Sequence, residues 1–557
     1  MALALCGCAS TPFIDDDPVV PKGMVGHVSG FYGGVTADEP RAVLAGRDVL
    51  TAGGSAADAA TAMYFMLAVT MPSAAGLGGG GVCLVRDSGT QVVETLDFFG
   101  QPSSGEGRKV TVPGNPRGLY ALHAKFGSLR WAELIRPAEN AARFGTRISR
   151  AFAEDIIGAS NIILKSPYLR SVFSDKHNTL LREGAPLKRK DLAAFLARLR
   201  ARGAGVLYSG ANARMFSEDA KRAGIGITYR DLVAAKPVWR STLRVPFVAN
   251  TSIHFAMPRS AGGTLGAKVA AILAANNLYK RAKPEEREHL IAEAIQRAIA
   301  DGANGFRSVS IEREVMHVKG ANKIKKVTFT QLPEAYAEQL ITGYQPNRLT
   351  DLVTRTPGIA IRGNEIGTTS LAVIDRKGGA VACAFSMNGA FGTGQAVPGT
   401  GVILANPWPA ARYRDLSLGA VLIDHNFRNK VYMVGAASGD PSSQAVLAQL
   451  TVDIALKPTI SLERKISTNN RVFRDPTNRI TYVERGADPA LVNGLAKRGH
   501  RLVEVSSLSR INMAYCKSGL PRERRSFQHS WVDQQQDEIF CSVQGDPRGF
   551  GFSSMAD

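Results

Sequence analysis

Segment 366–401 constrains what this 557-residue chain can become more than any other. Gly367 is followed by two hydroxyl residues, Thr368 and Thr369, then by an apolar run over 371–374. A charged glycine turn (375–379) and a second apolar run (380–385) come next. Two short strand-forming runs around a Gly-containing turn predict a β-hairpin. Side-chain alternation then places Ser386 and Asn388 on one face at the end of the second strand. In such a hairpin, the hydroxyl that opens the first strand meets a hydroxyl and an amide at the end of its partner.

Two readings fit these residues. In one, the threonines are ordinary strand residues, because β-branched side chains suit a pleated surface. In the other, Thr368 is a nucleophile. A threonine hydroxyl needs an adjacent base, and a free α-amino group, titrating near pH 8, can supply one. An internal threonine acquires that amine only if the chain is cut just before it, at Gly367–Thr368. The cut itself needs attack by Thr368 Oγ on the Gly367 carbonyl, followed by hydrolysis of the resulting ester.

The order Thr368, Thr369, Asp375, Ser386, Asn388, Phe391, Gly392, Gly394 resembles the start of the small subunit in the γ-glutamyltransferase family of N-terminal nucleophile hydrolases. Ser386 stands for a family Thr, and Ser370 for the usual His. The resemblance implies self-cleavage before Thr368, with Thr368 as nucleophile and, through its amine, base. Thr369, Ser386 and Asn388 would orient it. Gly435-Ala-Ala-Ser438-Gly439-Asp440 is similar to the family's Gly-rich oxyanion turn. Ser438 and Gly439 would supply main-chain N–H donors there, which side-chain changes do not remove.

The likeness extends along the chain. Gly76-Leu-Gly-Gly-Gly-Gly81 resembles a large-subunit family segment. It is no phosphate loop, since no Lys follows and it precedes a strand rather than a helix. Three departures fall where the family reads a glutamyl group. Phe99 stands at the position of the Arg that holds the α-carboxylate, and a ring cannot form a bidentate charge-assisted pair. Pro407 replaces a Gln, and Ala410 replaces the Asp that meets the α-amino group.

The remaining features bear on compartment and partners. A net charge of +20 is spread along the chain without a basic tail or aromatic-interleaved block, so nucleic acid is not an expected partner. Leu5-Cys6-Gly7-Cys8 resembles a bacterial lipobox, which predicts a lipid on Cys8 and a periplasmic, membrane-tethered protein. Cys83 and Cys383 lie in apolar runs and read as buried thiols. Cys516 and Cys541 flank a polar stretch, where an oxidising compartment permits a disulfide. No Cys/His spacing predicts a metal site, and no cofactor is expected.

The expected fold is the family's α+β four-layer αββα sandwich. Residues 1–30 are leader and linker, and 31–367 and 368–557 become large and small subunits of one domain. The expected function is a self-processing amidohydrolase or acyltransferase acting on γ-glutamyl or related small-molecule or peptide amides. The alternatives are an acylase for a non-glutamyl amide (a β-lactam or a cell-wall peptide) and a non-catalytic exported scaffold.

Overall fold

The hairpin forms as its sequence pattern requires. Strand Thr368–Asp375 pairs antiparallel with Ala380–Ser386, and Thr368 lies directly opposite Ser386. A computed structural model describes residues 31–556 apart from 258–261, 303–308, 317–323, 353, 355–357, 364, 409–413, 458–459 and 522–540. Cys8 and Ala410 therefore lie outside the described residues.

The hairpin sits inside a seven-stranded antiparallel sheet. In spatial order its strands are Phe552–Ala556, Gly33–Ala37, Thr368–Asp375, Ala380–Ser386, Gly80–Arg86, Val93–Asp97 and Val238–Ser241. Segments from both sides of Gly367 are interleaved in it, with strand Gly33–Ala37 lying between Phe552–Ala556 and Thr368–Asp375. A second, eight-stranded sheet contains Arg510–Leu520, Val431–Ser438, Leu418–His425 and Thr251–Phe255 side by side.

Three apolar cores separate four layers. Both faces of the hairpin are buried, which is why its strands read as nearly continuous apolar runs. Leu371, Val373, Val381 and Phe385 point to the first helical layer. Ala372, Ile374, Ala380 and Ala382 point the other way, onto Ala420, Leu422, Val434 and Ala436 of the second sheet. The small alanines let the two sheets approach. Helices Gly262–Ala274 and Ser443–Leu456 cover the outer face of the second sheet, and helix Arg287–Asp301 packs on the first of them. The αββα order is thus observed.

Helix Ala56–Thr70 covers the hairpin, and all fifteen of its residues are buried. Its Asp58 completes a capping box with Ser55 and also accepts from the Ser128 and Leu129 N–H groups. That is the partner a buried carboxylate requires.

Two cysteine expectations meet different outcomes. Cys516 and Cys541 face each other on adjacent strands and are joined by a disulfide. Cys83 and Cys383 are not free thiols: they too form a disulfide. The physical reason is register. Strands 80–86 and 380–386 pair so that Cys83 lies directly opposite Cys383, a placement that 300 residues of separation hide from local sequence patterns. No helix among the described residues is long and apolar enough to cross a membrane.

Candidate active site

The site is built where the hairpin's open end meets the second sheet. Gly367 enters the first strand at φ +102°, a conformation that L side chains rarely adopt. A Cβ there would lie 2.4 Å from the Gly389 carbonyl carbon, so both conformation and space demand glycine. The Gly367 carbonyl accepts from the Met387 N–H at 3.0 Å and from Ser386 Oγ at 3.4 Å. The bond expected to break thus has its oxygen held by two donors from the partner strand.

Thr368 is 7% exposed, and its Oγ1 accepts from the Gly439 N–H at 2.8 Å. Gly439 follows strand Val431–Ser438 at φ +123°, which frees its N–H from the ladder and aims it at the hydroxyl. Such a donor stabilises negative charge on the attacking oxygen or on an acyl oxygen beside it. The Ser438 hydroxyl approaches Asp38 at 3.5 Å, and its carbonyl accepts from Ser509 Oγ.

The other expected residues divide. Thr369 Oγ1 donates to Asp38 Oδ2 at 2.8 Å rather than contacting Thr368. Ser386 lies opposite Thr368 and is held by the Asn388 N–H at 2.8 Å. The Asn388 side chain does not turn to the nucleophile: its amide donates to the Pro407 carbonyl at 2.6 Å, tying down the loop before Trp408. Phe99 packs edge-to-face on Trp408, with ring centroids 5.2 Å apart. Two aromatic rings therefore meet at the position singled out in the sequence for its lack of charge.

Three polar residues of the site carry no local sequence signal. Asp38, fully buried just after strand Gly33–Ala37, accepts from Thr369 and from Asn512 Nδ2 at 2.8 Å. The Asn512 amide also reaches Ser370 Oγ at 2.9 Å, so the residue at the family's His position becomes part of a buried network. Arg510 Nη2 donates to the Thr368 carbonyl at 2.8 Å.

Burial governs the carboxyls around this centre. It pushes Asp155 up to about 6, against the pull of the Arg510 charge, and Ser73 Oγ donates to this carboxyl. Burial likewise raises Glu365 and Asp440, although Asp440 accepts from Ser442 and from the Ser509 N–H. Among the described residues no cluster of three His, Cys, Asp or Glu is arranged to hold a metal ion.

Comparison with known proteins gives a consistent picture. A family model described as gamma-glutamyltranspeptidase matches residues 42–519. The chain is 29% identical to glutathione hydrolase 3 of Arabidopsis thaliana over 415 residues, covering 71% of this chain and 62% of that protein. It is 27% identical to the glutathione hydrolase proenzyme of Pseudomonas aeruginosa over 403 residues, 67% of each chain. The match thus spans just over three fifths of the plant relative. Among solved structures, cephalosporin acylase from Bacillus halodurans superposes with a TM-score of 0.71 at 19% identity, covering 97% of this chain and 99% of that one. This last likeness is one of fold.

Proposed function

Given that the chain belongs to the gamma-glutamyltranspeptidase family of N-terminal nucleophile enzymes, we propose that it cuts itself between Gly367 and Thr368 and then uses Thr368 to cleave or transfer an amide-bound acyl group. One observation carries this reading. The Thr368 hydroxyl rests on the Gly439 N–H, immediately after a glycine whose carbonyl is held by Met387 and Ser386.

In processing, Thr368 Oγ attacks the Gly367 carbonyl carbon and the C–N bond breaks. The hydroxyl proton passes to the departing nitrogen, which becomes the Thr368 amine, and an ester links Gly367 to Oγ. Water then releases the Gly367 carboxylate. The negative charge that develops on the Gly367 oxygen falls where the Met387 N–H and Ser386 hydroxyl already point. In turnover, the new α-amine takes the proton from Oγ as it attacks the substrate amide, and returns it to the leaving amine. The Gly439 N–H stands beside the reacting oxygen.

The substrate side favours an acyl group other than glutamyl. The edge-to-face pair of Phe99 and Trp408 fits an apolar or aromatic acyl chain and offers no counter-charge to an α-carboxylate. The structural neighbour from Bacillus halodurans bears the name cephalosporin acylase, so an acylase for a non-glutamyl amide is compatible with this fold. Export, with Cys8 as lipid attachment point, belongs to the same proposal. Two disulfides support an oxidising compartment.

The test is a reducing denaturing gel with intact mass on purified protein beside Thr368→Ala. Two fragments that meet at Gly367–Thr368, absent from the variant, support the reading. An uncut chain in both, folded and stable over days, overturns it.

A further inference from the structure

Arg510 is only 6% exposed, yet among the described residues no carboxylate pairs with it. The Asp155 carboxyl feels its charge without forming an ion pair with it, so the hydrogen bonds of this buried guanidinium go to the main chain instead. Its Nη2 donates to two main-chain oxygens, Thr368 O at 2.8 Å and Glu365 O at 3.3 Å. These carbonyls lie on opposite sides of the Gly367–Thr368 bond. Drawing residues i and i+3 onto one nitrogen makes the chain turn around the guanidinium, and Gly367, at φ +102°, takes up that turn.

The cradle for Arg510 is also built. A Cβ on Gly549 would lie 2.5 Å from Arg510 Cδ, so the glycine there leaves the side chain its path. On the other side of the segment, Ile366 packs toward helix Arg150–Gly158, where a Cβ on Gly158 would meet Ile366 Cδ1 at 3.0 Å. The segment before the cut is therefore held by an apolar contact on one flank and a cation on the other.

We propose that Arg510 is a positioning residue for self-cleavage, fixing the peptide on both sides of the scissile bond so that the Gly367 carbonyl carbon is presented to Thr368 Oγ. This rests on the proposed cut at Gly367–Thr368. The attack closes a five-membered ring within one residue, so its rate depends on the torsions of residues 367 and 368. Those are the torsions that the bridge from Glu365 O to Thr368 O restrains. The guanidinium contacts no reacting atom. It acts by holding the two carbonyls.

The experiment follows processing of freshly purified full-length chains by reducing gel and intact mass, for the parent, Arg510→Gln and Arg510→Lys, with and without hydroxylamine. Hydroxylamine captures the Gly367 ester as a hydroxamate, so it accelerates cleavage only when the ester has formed. We expect Arg510→Gln to cleave at least ten-fold more slowly, unrescued by hydroxylamine, at a melting temperature close to that of the uncut Thr368→Ala chain. Arg510→Lys, which can still donate to both carbonyls, should recover much of the rate. Parent-like cleavage of Arg510→Gln overturns the proposal. So does hydroxylamine rescue, which would place the defect after ester formation, or an equal loss in both variants with a lowered melting temperature, which would mark a general packing role. If the parent itself stays uncut, the cleavage reading fails instead.

Discussion

Gly367 combines two demands that no other residue meets, a φ of +102° and a neighbour carbon 2.4 Å from any Cβ. Gly367→Ala is therefore expected to displace the scissile carbonyl from Met387 and Ser386. Left-handed strain alone costs about 1–2 kcal/mol. Processing should stop while the rest of the fold survives, which intact mass and circular dichroism together would reveal. Cleavage at the parent rate would show that this geometry is not required. Asp155 gives a prediction in pH. Burial raises its carboxyl from 3.8 to about 6, so the fold favours the protonated acid. Its contribution to stability is complete below about pH 4 and is lost as pH rises through about 6. Asp155→Asn keeps a neutral acceptor for Ser73 and removes that loss. In the uncut Thr368→Ala background, the variant should gain on its parent between pH 4 and pH 8, by up to about 3 kcal/mol for a two-unit shift. A difference in urea unfolding that stays flat with pH would refute this.

Helix Ala56–Thr70 shows how one carboxylate can hold an element. Asp58 satisfies the Ser55, Ser128 and Leu129 N–H groups at once and is fully buried. Asp58→Ala strands three donors, each worth about 1–3 kcal/mol when buried without a partner. The uncut chain should lose at least about 3 kcal/mol in urea unfolding, and a loss under about 1 kcal/mol would mean that other groups or water take over. The local sequence places Asp58 three residues after Ser55, the spacing of a capping box. It could not name Ser128 and Leu129, seventy residues on. The basic stretch 183–202 is amphipathic. Lys188, Lys190, Arg198 and Arg202 are exposed on its outer face, and helix Lys190–Arg202 buries Leu192, Phe195, Leu196 and Leu199. Arg189 is itself buried on the carbonyls of Ala68 and Gly401.

For the whole molecule, the disulfide Cys83–Cys383 has a consequence for processing. It joins a strand before the proposed cut to a strand after it, both within the same sheet. Processed protein is expected to migrate as one band on a denaturing gel without reductant and as two with it. Cys383→Ser should give two bands under both conditions. Two bands from the parent without reductant would show that the bridge does not persist in the processed enzyme. Cys516–Cys541 lies wholly after the cut and leaves this pattern unchanged.

The sequence by itself determined the hairpin at 368–386, its facing Thr368 and Ser386, and the glycine turn at 435–440. Each is written in adjacent residues or in a period of two, so local sterics and alternation suffice to read it. Tertiary structure alone decided which groups surround Thr368. Asn512 reaches Asp38 across 474 residues and Arg510 reaches Thr368 across 142, on strands of two different sheets. It also turned Asn388 away to Pro407 and paired Cys83 with Cys383. Such contacts follow from strand register and from how closely two sheets stack. Those are set by the packing of three cores at once, and no single stretch of sequence encodes them.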